Sequence, residues 1–510
     1  MKATTDTTLN ESHNRLALAG QRALVLGLGE SGLAMVRYLL EVGAVVRVVD
    51  TRDNPPGLAT LQERYPDAEF ECQALPDVNL DEADFIAWSP GLSNEIGDGK
   101  HFFDAASERH IPVLGELDLF ADALRASNIE RERNGQPAAK VIGITGTNGK
   151  TTVTELVGML ARGAGLKVGV AGNIGPAMLN AWCDVASDHD LPDIWVLELS
   201  SFQLALAQPM SVDAAAILNI SQDHLDWHAD MATYIAAKHR VVGKESVAVG
   251  LRGDDSTLVD GCRRQQTIGT DEPTRAGDMG IVHDGGMPWL AWAVPAELPI
   301  PGKKTKADVP VMVKRLMPAD ALLIRGQHNH LNALAALCLA ESVGVPMAAM
   351  LHALRDYKGQ AHRCELVAIV DDVEYYNDSK GTNVGATVAA LNGLDKRCWL
   401  IAGGIGKDQD FSALADAALL NAAGVILIGR DRGLIRQALA RTGLPIHDDQ
   451  TMDEALIRAR DLAQAGQAVL LSPACSSFDM FDNYQHRGDV FRALVQEWAL
   501  VRGNSLEVPC

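Results

Sequence analysis

Lys150 stands in the run ITGTNGKTT at 144–152, with glycines at 146 and 149 and another just before it at 143. A lysine so placed reaches the β- and γ-phosphates of a nucleotide. Gly146 and Gly149 free the backbone to wrap the anion, and the Thr151 hydroxyl is suited to Mg²⁺. The loop is a variant, because Ile144 stands where the usual spacing has glycine. Two further groups fall at the ends of apolar runs, Glu198 in WVLELSS and His224 in AAAILNISQDHLD. A single histidine or strand-end glutamate is ordinarily structural. Two of them following a phosphate loop favour a magnesium site. A second cradle, GLGESG, puts Gly27, Gly29 and Gly32 in GxGxxG spacing, with Asp50 ending the next apolar run. This pattern brings a diphosphate to a helix N-terminus. NAD, FAD and a UDP-sugar all carry that diphosphate, and no hydride-transfer constellation stands beside the loop.

The elements that must position these groups follow from the apolar pattern. Ala23–Leu26, Val45–Val49 and Phe85–Trp88 read as buried parallel strands, with a helix over LAMVRYLLEVG that closes at Gly43. The polar segment 126–139, ASNIERERNGQPAA, reads as a surface loop. A second strand–loop–helix unit opens with KVIGITGTNGKTT, and strands are expected at Trp195–Leu199 and Ala214–Asn219. Residues 268–312, rich in Gly, Pro and charge, give no clear assignment. A third block carries strand candidates Trp399–Ala402, Val425–Ile428 and Ala468–Leu471 and a glycine-rich turn, GGIGK, at 403–407. The fold class expected is α/β in three domains: a Rossmann-like N-terminal domain, a P-loop-type central ATPase domain and a Rossmann-like C-terminal domain. The boundaries expected are a flexible tail 1–20, then 21–114, 115–359 and 360–510.

Composition narrows the partners. A chain of 510 residues exceeds one core. Its net charge of −21 argues against nucleic acid and anionic membranes, so a bound phosphate needs local basic groups, helix N-termini or Mg²⁺. The eight cysteines contain no CxxC pair, which suits a reducing cytoplasm. No segment approaches about 18 uninterrupted apolar residues, so no membrane span is expected. Residues 1–18 are polar, without the apolar stretch of a signal peptide.

Taken in order, GLGESG, DTR at 50–52, SPG at 89–91, TGTNGKTT, GNIG at 172–175, LELSSFQL at 197–204, LNISQDHLD, GQHNHLNALAA at 326–336, HR at 362–363, NDSKGTN at 377–383 and SPACSSFDMF at 472–481 resemble the Mur ligases. These are ATP-dependent amide-forming enzymes of peptidoglycan synthesis, and the likeness runs from about residue 21 to about 498. The resemblance implies a monomeric cytoplasmic ligase that joins D-glutamate to UDP-N-acetylmuramoyl-L-alanine through an acyl phosphate. It implies that Ser31, Asp50, Thr51, Arg52, Gly91, Asn173 and His224 face the UDP-substrate. Gly146, Thr147, Asn148, Gly149, Lys150, Thr151, Thr152, Asn329, Asn332, Arg363 and Asp378 would surround ATP. Thr151, Glu198, His224 and Lys238 would hold two Mg²⁺ ions. The lysine in YIAAKHR, Lys238, reads by itself as an ordinary helix-face residue. The resemblance makes it a site of carbamylation by CO₂, which turns a cation into an oxygen ligand. Lys150, His224 and Lys238 are the implied catalytic set; Lys380, Thr382, Lys407, Ser477 and Tyr484 would face D-glutamate. Ile405 stands where the family often has an acid, and Tyr484 where it has phenylalanine. An NAD-dependent oxidoreductase, a non-catalytic nucleotide switch or UDP-sugar binder, and a sister ligase for another amino acid are the competing readings.

Overall fold

RALVL, VVRVVD and FIAW are buried along almost their whole length, as strands covered on both faces must be. The computed structural model describes residues 18–502 except 188–189, 209, 211, 298–309, 325, 395 and 408. The tail expected to be loose therefore lies outside the described residues up to residue 17, and Leu18 is already buried. Strands β1 (Arg22–Leu26), β2 (Val45–Asp50), β3 (Glu69–Cys72), β4 (Phe85–Trp88) and β5 (Val113–Gly115) form a parallel sheet in the order β3-β2-β1-β4-β5. The order reverses at β1, so a crevice opens at the carboxyl ends of β1 and β4. The helix Glu30–Glu41 packs Ala34, Met35, Val36 and Leu39 inward and gives way to Gly43, which takes a left-handed φ of 83°.

The chain divides into two compact units. One comprises Met1–Gly143, Leu166–Val212 and Trp227–Gly243; the other comprises Ile144–Gly165, Asp213–Asp226 and Lys244–Cys510. Strand β6 (Lys140–Thr145) starts in the first and ends in the second. Beyond its five-stranded sheet, the first unit pairs β7 (Val168–Gly172) in parallel with β8 (Ile194–Glu198), with Gly172 opposite Glu198. In the second unit β9 (Ala214–Ile217), β10 (Val247–Leu251), β11 (Arg264–Ile268) and β12 (Met279–Asp284) run parallel. Then β13 (Met287–Pro295) and β14 (Val311–Pro318) extend them antiparallel.

The second unit's other sheet follows the order β15-β16-β20-β17-β18-β19. Its strands are β15 (Glu365–Val370), β16 (Val373–Asn377), β17 (Cys398–Gly403), β18 (Ala422–Ile428), β19 (Ile446–Asp448) and β20 (Ala468–Leu471). All neighbours are parallel except β15 with β16. Alternation along the strands splits the core in two. Leu400, Ala402, Val425 and Leu427 pack on one face, and Trp399, Ile401, Ile426 and Ile428 on the other.

Two sequence expectations need correction. The segment 126–139 is not a loop throughout, because the helix Glu116–Arg133 continues into it and stops at Asn134, ahead of Gly135 at φ 71°. Its last turns lack an apolar stripe, so periodicity misses them. They are secured by polar bonds: Asn128 Oδ1 accepts from Ala139 N–H at 2.8 Å, and Arg131 donates to Pro192 O at 3.0 Å. The unassigned stretch 268–312 contains β12, β13 and the start of β14. The turn between β12 and β13 is Gly285-Gly286, both at positive φ (60° and 83°), the two-residue hairpin that matches strand twist.

Glu116 opens the helix Glu116–Arg133 and is 2% exposed, with Oε1 accepting from Leu179 N–H at 3.0 Å. Burial pushes its carboxyl from 4.5 up to about 7, against the pull of the Leu179 amide, the Ser31 hydroxyl and the Met178 amide. The fold therefore holds a proton that the unfolded chain releases. The associated stability is present below pH 4.5 and is lost as pH rises through 7. Replacing the acid with its neutral isostere, Glu116→Gln, is expected to widen the stability gap in the variant's favour by up to about 3 kcal/mol between pH 4.5 and 8. Urea unfolding of both proteins across that range checks it; a gap independent of pH contradicts a protonated Glu116.

Candidate functional site

The phosphate loop turns out of β6 into the helix Lys150–Gly163. Gly149 caps that helix at φ 82°, and a Cβ there would lie 2.6 Å from Asn332 Oδ1, so only glycine fits. Asn219, just past β9, pins the loop: its Oδ1 accepts from Asn148 N–H at 2.9 Å and its Nδ2 donates to Asn148 O at 3.0 Å. Thr147 is tied to Ser221 in the same way, accepting from Ser221 N–H at 3.0 Å. Lys150 Nζ folds back to donate to Gly146 O at 3.0 Å and Thr147 O at 2.8 Å, which holds the ammonium at the mouth of the loop. A helix N-terminus, a lysine and a turn of backbone amides on one loop form an anion cradle.

Beside the loop lies a cavity of 290 Å³ whose wall includes Asn148, Gly149, Thr152, Asn329, Asn332, Arg363 and Asp378. Most of the residues expected around ATP thus share one wall, together with Lys380, which was expected to face the amino acid. Arg363 donates to the Thr151 hydroxyl, and Asn148 and Asn383 exchange side-chain hydrogen bonds at 3.3 and 3.2 Å. Asp378 is buried, which pushes its carboxyl up to about 6, although Ser472 donates to it at 2.7 Å. Sequence reasoning missed Asn219, Ser221, Asn383 and His328. Burial, together with the charge of His330, holds His328 down at about 4, a neutral imidazole in the cavity wall. Only the position of Asn219 at a strand end could have drawn notice to it.

Of the residues expected to meet D-glutamate, Lys380 and Tyr484 are brought together, with Nζ 3.9 Å from the ring centroid. Thr382 N–H donates to Lys380 O at 2.8 Å, and Ser477 is buried in the loop after β20. Lys407 stands exposed at φ 51° in the glycine turn, without a side-chain bond among the described residues.

In the first unit a cavity of 430 Å³ is lined by Gly27, Gly29, Gly32, Ser31, Asp50, Thr51, Arg52 and Gly91. The residues expected at uridine diphosphate, other than Asn173 and His224, thus share one pocket. The third glycine is obligatory, because a Cβ on Gly32 would lie 2.0 Å from Gly27 O. Asp50, expected to face the UDP-substrate, is engaged within the protein. Its oxygens accept from Leu28 N–H at 2.7 Å and from the Arg52 guanidinium at 2.8 and 2.7 Å. Burial raises its carboxyl, but these bonds outweigh burial and hold it below the usual range. Asp50 thereby aims Arg52, whose side chain is 54% exposed, along the pocket rim.

Asn173 donates to Glu198 Oε1 at 2.7 Å. Glu198 is 1% exposed, and its Oε2 has no hydrogen-bond partner among the described residues. A buried carboxylate oxygen left open is a poor structural element and a good magnesium ligand. Lys238 is 2% exposed, with Nζ 4.5 Å from the Tyr234 ring centroid. His224, in the second unit, takes φ 57° beside Asp223, whose Oδ2 lies 3.6 Å from Nε2. Among the described residues no cluster of three or more His, Cys, Asp or Glu is arranged for a metal.

Three family models match the chain: the Mur ligase MurD-like N-terminal domain over residues 21–115, the Mur ligase middle domain over 144–340, and the Mur ligase glutamate ligase domain over 362–475. The UDP-N-acetylmuramoylalanine–D-glutamate ligase of Ralstonia nicotianae is 51% identical over 496 residues, covering 95% of this chain and 99% of that protein. Among solved structures, MurF from Acinetobacter baumannii superposes with a TM-score of 0.54 at 17% identity, covering 94% of this chain and 92% of that one. MurF from Thermotoga maritima, in complex with ADP, does so at 0.52 and 14%, covering 95% and 97%. At such identities these structures speak for the fold alone.

The two glycines of the first cradle make opposite predictions. A Cβ on Gly29 meets open space, so Gly29→Ala keeps thermal stability but obstructs close approach of a diphosphate, weakening UDP binding at least about tenfold. Gly32→Ala drives a methyl into backbone and costs about 1–3 kcal/mol of stability. Thermal unfolding and calorimetric titration with UDP separate the two effects; undiminished UDP binding by Gly29→Ala contradicts the cradle.

Proposed function

The chain belongs to the Mur ligase family, and from that premise we propose that it joins the amine of D-glutamate to the L-alanyl carboxylate of UDP-N-acetylmuramoyl-L-alanine, converting ATP to ADP and phosphate in peptidoglycan precursor synthesis. The observation that carries this reading is the 51% identity to a D-glutamate ligase across 95% of the chain. The two anion cradles, each built from this chain's own residues, support it. Among the described residues no helix is long and apolar enough to cross a membrane. We place the enzyme in the cytoplasm as a monomer.

In this reading the 430 Å³ cavity of the first unit takes the uridine diphosphate, on Gly29, Ser31, Thr51, Arg52 and Gly91. The 290 Å³ cavity of the second takes the adenine nucleotide, on Asn148, Gly149, Asn329, Asn332, Arg363 and Asp378. A carboxylate is a poor acyl donor because oxide is a poor leaving group. Its oxygen attacks the γ-phosphorus, the β–γ bridging bond breaks, and ADP leaves, giving an acyl phosphate. Lys150 and the loop amides hold the phosphate oxygens and neutralise charge as it shifts toward ADP. The D-glutamate amine, having lost a proton, attacks the acyl carbon. The tetrahedral adduct collapses and expels phosphate with its bridging oxygen. Lys380, Thr382, Lys407, Ser477 and Tyr484 are the groups assigned to the amino acid's two carboxylates and its carbon skeleton.

For magnesium, Glu198 and Lys238 in the first unit and Thr151 and His224 in the second are the assigned ligands. The open Oε2 of Glu198 is the feature that fits. Bound there, two Mg²⁺ ions would supply Lewis-acid stabilisation of the phosphate oxygens. Lys238 fits carbamylation. Its amine lies buried, with Nζ 4.5 Å from the centroid of the Tyr234 ring. The nitrogen lone pair adds to the carbon of CO₂, a proton leaves nitrogen, and an anionic carbamate results.

The test is ADP release with UDP-N-acetylmuramoyl-L-alanine present, across a panel of acceptor amino acids. Release that depends on D-glutamate, and not on L-alanine or a diamino acid, is expected. Equal turnover with another acceptor overturns the assignment. Lys150→Ala is expected to lower kcat about 10²–10³-fold with little change in the KM for D-glutamate.

A further inference from the structure

Immediately after Gly91 and Leu92 of the first cavity, the chain runs through Ser93 and Glu95 into the helix Gly97–Glu108. This short segment clamps the turn Trp227–Ala229 at three points. Ser93 Oγ donates to Trp227 O at 2.7 Å. Both Glu95 carboxylate oxygens lie 3.2 Å from His228 Nδ1, and Oε2 also accepts from Ala229 N–H at 3.2 Å. The His228 side chain is fully buried and Glu95 is 18% exposed, so little solvent screens the pair.

The clamped turn leads directly into the helix Met231–His239, which Asp230 caps by accepting from Thr233 N–H at 2.8 Å. Aromatic packing carries the constraint further. The His228 ring lies 4.6 Å from Trp227 and 5.3 Å from Tyr234, and Trp227 stacks on Phe202 at 4.7 Å. Tyr234 has no exposed surface, and its ring is the face against which Lys238 Nζ rests at 4.5 Å. Phe202 belongs to the helix Ser201–Leu206, which follows the strand that ends at Glu198. A buried histidine with both oxygens of a carboxylate at hand is not needed to fill a core; an apolar side chain would do so at lower cost.

We propose that Glu95 is a positioning residue: acting through His228 and Tyr234, it fixes the place of the Lys238 side chain, and with it the carbamate. This rests on the reading of Lys238 as a carbamylated ligand. Neither Glu95 nor His228 touches a reacting atom. Their effect appears as the fraction of Lys238 held in the productive, modified form.

The experiment compares wild type, Glu95→Gln, His228→Gln and the double variant, each as the full chain in ¹³C-bicarbonate. Carbamate occupancy is read by ¹³C NMR, and kcat and KM are read separately. Glu95→Gln keeps an oxygen for Ala229 N–H and removes the charge beside His228, so the fold is retained. Expected are an occupancy at least threefold below wild type and a kcat down about tenfold, with kcat recovering as bicarbonate is raised. The KM for D-glutamate stays near wild type. The double variant should lose no more than the worse single one. Wild-type occupancy and kcat in folded Glu95→Gln, or losses that multiply in the double variant, overturn the relay. A wild-type spectrum without any carbamate removes the Lys238 reading itself, and the relay falls with it.

Discussion

A negatively charged protein that must hold a nucleotide's phosphates depends on one loop of backbone keeping its shape. That loop is fixed by an amide: Asn219 both accepts from and donates to the main chain of Asn148. The left-handed Gly149 then points the first turn of the helix Lys150–Gly163 toward the anion, and Lys150 is held at its mouth by the carbonyls of Gly146 and Thr147. With a net charge of −21 across the chain, the long-range field opposes every phosphate, and preorganised local donors act against it. Thr147 to Ser221, Asn148 to Asn383 and Thr151 to Arg363 then tie the loop to the rest of the second unit.

The same economy recurs at the other cradle. There the glycines give the backbone its approach, and Asp50, saturated by Leu28 N–H and Arg52, acts as a brace that aims a guanidinium. Each cradle thus keeps its charged group in place by bonds made before any ligand arrives, which lowers the cost of binding. At Glu198 one oxygen is braced by Asn173 and the other is left open in a buried site, as is one oxygen of Glu116.

Much of this was legible in the sequence because the signals are local. Apolar runs of strand length located β1, β4 and β20, and glycine spacing located both cradles. The polar end of the helix Glu116–Arg133 was not legible, since its stability comes from contacts such as Arg131 with Pro192 rather than from an apolar stripe. The β12–β13 hairpin was legible in Gly285-Gly286, but surrounding charge masked it. Asn383 could not be found by local reasoning, because its partner Asn148 is 235 residues away. The ligand roles of Lys238 and Tyr484 came from the family resemblance; only the burial of Lys238 against Tyr234, and the stacking of Lys380 on Tyr484, are structural facts.

The central claim is that the phosphate loop serves transfer of a phosphoryl group to the substrate's carboxylate. The direct measurement uses UDP-N-acetylmuramoyl-L-alanine labelled with ¹⁸O in that carboxylate. During turnover with ATP and D-glutamate, one labelled oxygen per amide formed should appear in inorganic phosphate. Unlabelled phosphate, or label recovered in AMP, would contradict an acyl phosphate.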